Sequence, residues 1–170
     1  SLFGRRFNNE LKKQIGYLPE ERGLYRKKPI LDSMIYLAAL KGLDSKMARS
    51  RAEKLLTRVN MQAHQNKKIE ELSHGMAQII QILVTILHEP DVIILDEPFN
   101  GLDPVNVKMV KDMILELKNQ GKAIMLSTHR MNEVEELCDR IFMINKGRNV
   151  LYGPIGDIKA KYRDNSVMVE

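Results

Sequence analysis

The chain has 170 residues, 44% hydrophobic and 29% charged, the balance of a soluble domain with a core of its own. No apolar run approaches the roughly 20 residues of a membrane-crossing helix, no secretory signal is legible, and the single cysteine, Cys138, excludes an internal disulfide or a thiolate cluster, so a reducing cytosol is the expected setting. The net charge of +5 hides a basic stretch, residues 1–68 with 16 Lys and Arg against 6 Asp and Glu, and an acidic remainder with 11 against 16; the cations are dispersed and lack interleaved aromatics, so no nucleic-acid partner is expected.

Ser1–Lys13 shows no strong period and no helix-start signal. Gln14–Leu18 reads as a short strand closed by Pro19, and Glu20–Gly23 as a charged loop. Asp32 is expected to cap a helix over Ser33–Lys41, with Gly42 as its stop. Asp44 or Ser45 caps the next helix, which runs to about Asn60 and aligns Ala48, Ala52, Leu55, Leu56 and Val59 on one stripe. Ser73 opens a third helix through Ala77, Ile80, Leu83, Val84 and Leu87, ended by Glu89-Pro90-Asp91.

Val92–Leu95 is a run of four apolar residues, three of them β-branched, and reads as a strand buried on both faces of a parallel sheet. Asp103 caps a helix that starts with Pro104 and ends near Asn119. Ala123–Ser127 follows as another buried strand, then an acidic helix over Asn132–Arg140, a strand at Ile141–Ile144 and a turn at Lys146-Gly147. Asn149–Tyr152 is an edge-like strand, Pro154–Tyr162 holds a short helix, and Ser166–Val169 begins a further strand. Strand and helix alternate after residue 90, which argues an α/β fold with a mostly parallel sheet.

The central strand ends in Asp96-Glu97, two carboxylates beside a hydrophobic core, with Pro98 halting the pairing. Bare charges there are costly unless neutralised. Ligands of open α/β sheets sit beyond the carboxyl ends of the strands, so a metal and an anionic substrate suit the position. Neighbouring side chains on a strand point opposite ways. One of the pair can therefore hold Mg²⁺ while the other polarises an attacking water.

In order, Leu72-Ser73-His74-Gly75-Met76, Ile94-Leu95-Asp96-Glu97-Pro98, Gly101-Leu102-Asp103-Pro104 and Ser127-Thr128-His129 resemble the nucleotide-binding domain of ABC-type ATPases, over nearly the whole chain. The loop Gly16 to Tyr25 is similar to the branch serving ABC-2-type, sodium- and drug-exporting transporters. The resemblance implies a P-loop NTPase-type (RecA-like) sheet with ATP and Mg²⁺ as ligands. It implies a partial ATPase core at 1–29 and 76–153, a helical signature subdomain at 30–75, and the start of a C-terminal extension at 154–170. It implies Ser73 and Gly75 on the γ-phosphate held by a second protomer and Asp96 at the Mg²⁺ shell. Glu97 becomes the general base, Asp103 the interface loop, His129 the γ-phosphate switch, and Glu20 the position that senses Mg²⁺ and couples to the membrane subunit.

Three departures stand out. Glu20 occupies a place where most of the family has glutamine, and His74 and Met76 replace the usual Gly and Gln of the signature loop. No G-x-x-x-x-G-K-[ST] occurs in the sequence, so the cradle for the β- and γ-phosphates is missing. The chain is therefore expected to be a fragment that begins after the P-loop, with little ATP hydrolysis of its own. The expected whole is an ATPase subunit that dimerises and drives export through a membrane-spanning permease, peripheral on the inner face of the cell membrane. The alternatives are a soluble ABC-type ATPase acting on ribosomes or DNA, and a non-catalytic interaction module. In the family the strand leading to the P-loop lies between the equivalents of Ala123–Ser127 and Ile141–Ile144. Without it, those strands are expected either to pair directly or to recruit a second copy.

Overall fold

The computed structural model describes residues 8–21 and 23–162. The chain divides into two compact units, residues 1–127 and 128–170. In the first, β1 (Ile15–Leu18), β2 (Val92–Asp96) and β3 (Ala123–Ser127) form a parallel sheet in the order β1-β2-β3. Its helices are α1 (Asn9–Lys13), α2 (Ile30–Leu40), α3 (Ser45–Arg58), α4 (His74–Ile86) and α5 (Pro104–Asn119).

The helix starts show which local signals carried through. Asp44 caps α3 through the Lys46 and Met47 amides, Ser73 caps α4 through Met76, and Asp103 caps α5 with Pro104 directly after it. Asp32 does not cap α2, which begins at Ile30 after Pro29. The amides of Ile30 and Leu31 donate instead to the carbonyls of Lys67 and Gln65, each at 3.0 Å, so a distant segment satisfies donors that a side chain would otherwise take. Helix α1 also departs from the expectation of an irregular opening, for Asn8 caps it by accepting the Leu11 amide at 2.9 Å. The sequence 30–71 contains two α-helices and two 3-10 turns, closed at its base by a bridge between Pro29 and Lys68.

Helix α4 is buried on almost every side, from Ala77 through Ile86. In the parallel register Gly16 stands opposite Ile93 and Leu18 opposite Leu95, so these four share one sheet face. Leu18, Ile93 and Leu95 are at most 2% exposed on that face. Side chains of this size contribute about 1.5–3 kcal/mol each when fully buried. Gly16 is there because α4 comes too close for anything larger: a Cβ would lie 2.4 Å from the Thr85 carbonyl oxygen.

The opposite face is less covered than a four-residue apolar run suggests. Val92 and Ile94 are only half-buried, and Tyr17 and Met125 are 55% and 65% exposed. Strand β3, expected to be buried, alternates between exposed and half-buried positions. An apolar run states what a strand can bury, whereas the neighbouring elements decide what covers it.

In the second unit α6 (Met131–Leu137) precedes β4 (Arg140–Asn145) and β5 (Arg148–Pro154), an antiparallel pair followed by α7 (Ile155–Lys161). Lys146 and Gly147 both take positive φ, 49° and 72°, the backbone of a tight two-residue hairpin turn. Phe142 meets Tyr152 edge-on across the pair, with ring centroids 6.0 Å apart. Among the described residues β3 is paired with β2 in the first unit and β4 with β5 in the second. The strand expected at Ser166–Val169 lies outside the described residues.

Two predictions follow from the packing of β1. Gly16→Ala is expected to cost about 2 kcal/mol or more, as overpacking of a close backbone contact does; the urea midpoint reads it, and an unchanged midpoint would show that α4 can withdraw. Near the same strand, the Nε2 of His88 lies 3.2 Å from the Ile15 carbonyl, to which Lys41 Nζ also donates, at 3.0 Å. Burial lowers the His88 pKa from its usual 6.5 to about 4, opposed by the Ile15 hydrogen bond and reinforced by the Lys41 charge. The folded state thus favours the neutral ring, so this contribution is complete above pH 6.5 and is lost as the pH falls towards 4. Urea midpoints across that interval should fall more steeply for the wild type than for His88→Gln.

Candidate functional site

Strand β2 delivers Asp96 as its last residue, directly opposite Ser127 at the end of β3. The Ser127 hydroxyl donates to Asp96 Oδ1, and the Ser127 carbonyl accepts the Glu97 amide at 3.1 Å. Glu97 has left the strand, with φ at 44°, in the left-handed region that costs a residue with a Cβ about 1 kcal/mol or more. Its own carbonyl accepts the Asn100 amide at 3.1 Å, so hydrogen bonds before and after it hold the bend. The two carboxylates are adjacent in sequence, yet one closes a strand and the other opens a turn. Both are half-buried.

The loop beyond is tied to the core. Phe99 is 1% exposed, and the Gln78 side chain, itself 4% exposed on α4, donates to the Pro98 carbonyl at 3.2 Å. One turn along α4, Gln81 donates to the Glu21 carbonyl at 3.4 Å, next to Glu20. Glu20 is exposed.

Ser73, His74 and Gly75 sit at the start of α4, against the loop that follows Glu97. A Cβ on Gly75 would stand 3.0 Å from the Gly101 carbonyl, and a Cβ on Gly101 would fall 1.9 Å from the His74 ring. Gly101 also has φ at 73°. Glycine is thus demanded there both by conformation and by a neighbour. Asp103 closes the loop: Oδ1 accepts the Val105 and Asn106 amides, each at 3.0 Å, and Oδ2 accepts the Asn106 side chain at 2.6 Å. The Asn106 backbone hydrogen bond leads the effects that hold the Asp103 carboxyl below its usual pKa.

His129 belongs to the second unit. Thr128 and Arg130 on either side of it bind the buried Glu133, at 3.1 and 3.2 Å, and the Thr128 hydroxyl accepts the Arg130 amide at 3.1 Å. These contacts fix the backbone around His129 while its side chain stays exposed.

Comparison with known proteins identifies the family. The family model described as ABC transporter matches residues 3–100. The chain belongs to the ABC transporter family. A Bacillus subtilis relative, the uncharacterized ABC transporter ATP-binding protein YhaQ, is 45% identical over 166 residues, covering 98% of this chain and 56% of its own length. A solved structure titled as the ATP binding subunit of an ABC transporter superposes with a TM-score of 0.82 at 30% identity, over 89% of this chain and 63% of that one. A second, cbiO1 from Clostridium perfringens, described as part of the ABC transporter complex cbiONQ, gives 0.70 at 27% identity over 88% and 61%. The chain thus spans between half and two thirds of the length of these proteins.

ABC ATPases bind ATP, generally with Mg²⁺. Among the described residues no cluster of three or more His, Cys, Asp or Glu side chains could hold a metal. Magnesium needs no such cage, because it is commonly held by one or two carboxylates together with substrate phosphates and water. Asp96 suits that role: Ser127 donates to Oδ1, which leaves the carboxylate a second oxygen for an ion.

Sequence reasoning gave no role to Gln78, Gln81 or Ser127, although Ser127 stands in the Ser127-Thr128-His129 motif. The glutamines had a signal, two amides inside a helix whose neighbours Ala77, Ile79, Ile80, Ile82 and Leu83 leave it no polar face. For Ser127 the motif gave no hint of a partner, since only the β2–β3 register places it beside Asp96.

The contact between the two loops can be tested by a double-mutant cycle. Gly101→Ala should destabilise the chain by about 2 kcal/mol through backbone strain plus the clash with His74. On a His74→Ala background the same change should cost about 1 kcal/mol, the strain alone. Equal costs on both backgrounds would mean that the ring moves aside freely.

Proposed function

We propose that the whole protein is the ATP-binding and ATP-hydrolysing subunit of an ABC exporter, and that two such subunits close around ATP to drive a membrane-spanning permease. The observation carrying this reading is the end of β2, where Asp96 and Glu97 are held in different conformations by the same neighbouring strand. In this reading Asp96 holds Mg²⁺, and Glu97 accepts a proton from, or orients, the water that attacks the γ-phosphate. When bound, the ion neutralises phosphate charge. Ser73, with the backbone around Gly75, offers donors to the γ-phosphate of the facing protomer, while Asp103 lines the contact between protomers. His129 orients the γ-phosphate, and Glu20 takes the place that couples ATP to the permease.

The same reading assigns residues 1–29 and 76–153 to the ATPase core, 30–75 to the signature subdomain that presses on the permease, and 154–170 to a C-terminal extension. No G-x-x-x-x-G-K-[ST] cradle for the β- and γ-phosphates occurs within the 170 residues. No helix among the described residues is long and apolar enough to cross a membrane, which accords with a peripheral subunit recruited by a permease at the inner face. Membership of a complex in the cbiO1 neighbour supports the same partnership.

In the whole protein, Glu97→Gln should keep ATP binding and lower turnover by about 10²–10⁴-fold, since it preserves shape and hydrogen bonding but removes the base. His129→Ala should also lose turnover, without the proton-transfer defect. Phosphate release and ATP-binding assays measure both. Turnover of Glu97→Gln close to wild type would place the base elsewhere, with Glu20 first in line.

A further inference from the structure

Asp96 and Glu97 have one neighbour in common, Ser127, which opens the Ser127-Thr128-His129 motif but has been given no role of its own above. Ser127 ends β3, the strand beside β2, and its register partner is Asp96 itself. Its hydroxyl has a single hydrogen to donate, with Asp96 Oδ1 and the Leu95 carbonyl oxygen, at 3.4 Å, both in reach. The carboxylate is the stronger acceptor because it is charged. The Ser127 backbone carbonyl meanwhile receives the Glu97 amide at 3.1 Å. Ser127 thus grips Asp96 with its side chain and Glu97 with its main chain.

We propose that Ser127 is a positioning residue for the nucleotide-bound metal: its hydroxyl fixes the Asp96 carboxylate so that Oδ2 faces the ligand. The inference rests on the reading of Asp96 as the Mg²⁺ residue. The hydrogen bond from Ser127 engages Oδ1 of Asp96 and so sets the rotation of the carboxylate. A magnesium ion demands near-ideal octahedral geometry, so a carboxylate free to rotate would bind it less well. Groups that orient metal-binding side chains in this way typically change metal affinity by about 10–100-fold when removed. The Glu97 side of the grip is different in kind. It uses the backbone, so substitution of the Ser127 side chain leaves it in place, and the two functions of Ser127 separate.

The test uses the whole protein and ATP affinity measured with Mg²⁺ and again in EDTA. Ser127→Ala should lose about tenfold of the affinity gain that Mg²⁺ confers and raise the Mg²⁺ concentration for half-maximal turnover, while affinity in EDTA stays at the wild-type value. Ser127→Thr, which keeps the hydroxyl and suits a strand, should restore both. An Mg²⁺ gain in Ser127→Ala equal to wild type would overturn the proposal. So would an equal loss in EDTA, which would mark general damage to the site, or a failure of Ser127→Thr to restore. If the wild type itself gains nothing from Mg²⁺, the reading of Asp96 fails and this inference with it. A wild type that gains and a Ser127→Ala that matches it overturn this inference alone.

Discussion

Gln78 and Gln81 lie on a helix closed to solvent on nearly all sides, and an amide buried there must find an acceptor or lose its hydration without return. Each finds a main-chain carbonyl, that of Pro98 after the β2 carboxylates and that of Glu21 in the loop after β1. The loops that carry Glu20 and Glu97 are therefore moored to the same rigid body. Two apolar residues at these positions would pack equally well on α4, but they would leave both carbonyls unclaimed. The need of these two buried NH2 groups for an acceptor is what turns a core helix into a support for the site.

Two adjacent carboxylates can serve different ends only if the backbone changes between them. Asp96 keeps the extended conformation of β2, whereas Glu97 turns into the left-handed region. That turn is unfavourable for glutamate and survives because its amide and its carbonyl are both engaged. Strain of this kind marks a place where the surrounding structure overrides a local preference. Here the override comes from β3, through the Ser127 carbonyl.

A similar override governs the meeting of the start of α4 with the loop after Glu97. His74 brings a ring against Gly101, where an added Cβ would be both strained and in the way of that ring. The pair behaves as a knob in a hole. The bulk of His74 is accommodated on the side of Gly101, and the Ser73 cap and the Gly75 backbone keep their places at the start of α4.

The sequence by itself determined the parts of the protein whose signals are local. The caps at Asp44, Ser73 and Asp103, the turn at Lys146-Gly147 and the strand up to Asp96 each depend on a few consecutive residues and were legible, whereas Glu97, read as the strand's last residue, has turned out of it. The order and spacing of the motifs likewise identified the family, since spacing survives without any knowledge of packing. What only the tertiary structure decided involves partners far apart in the chain. The start of α2 depends on carbonyls more than 30 residues away, Ser127 meets Asp96 across a strand register, and the exposure of Tyr17 and Met125 depends on which elements cover the sheet. A hydrogen-bond donor, a serine and an apolar run are all visible in one dimension. The acceptor, the carboxylate and the cover that give them meaning are set by how the chain folds back on itself.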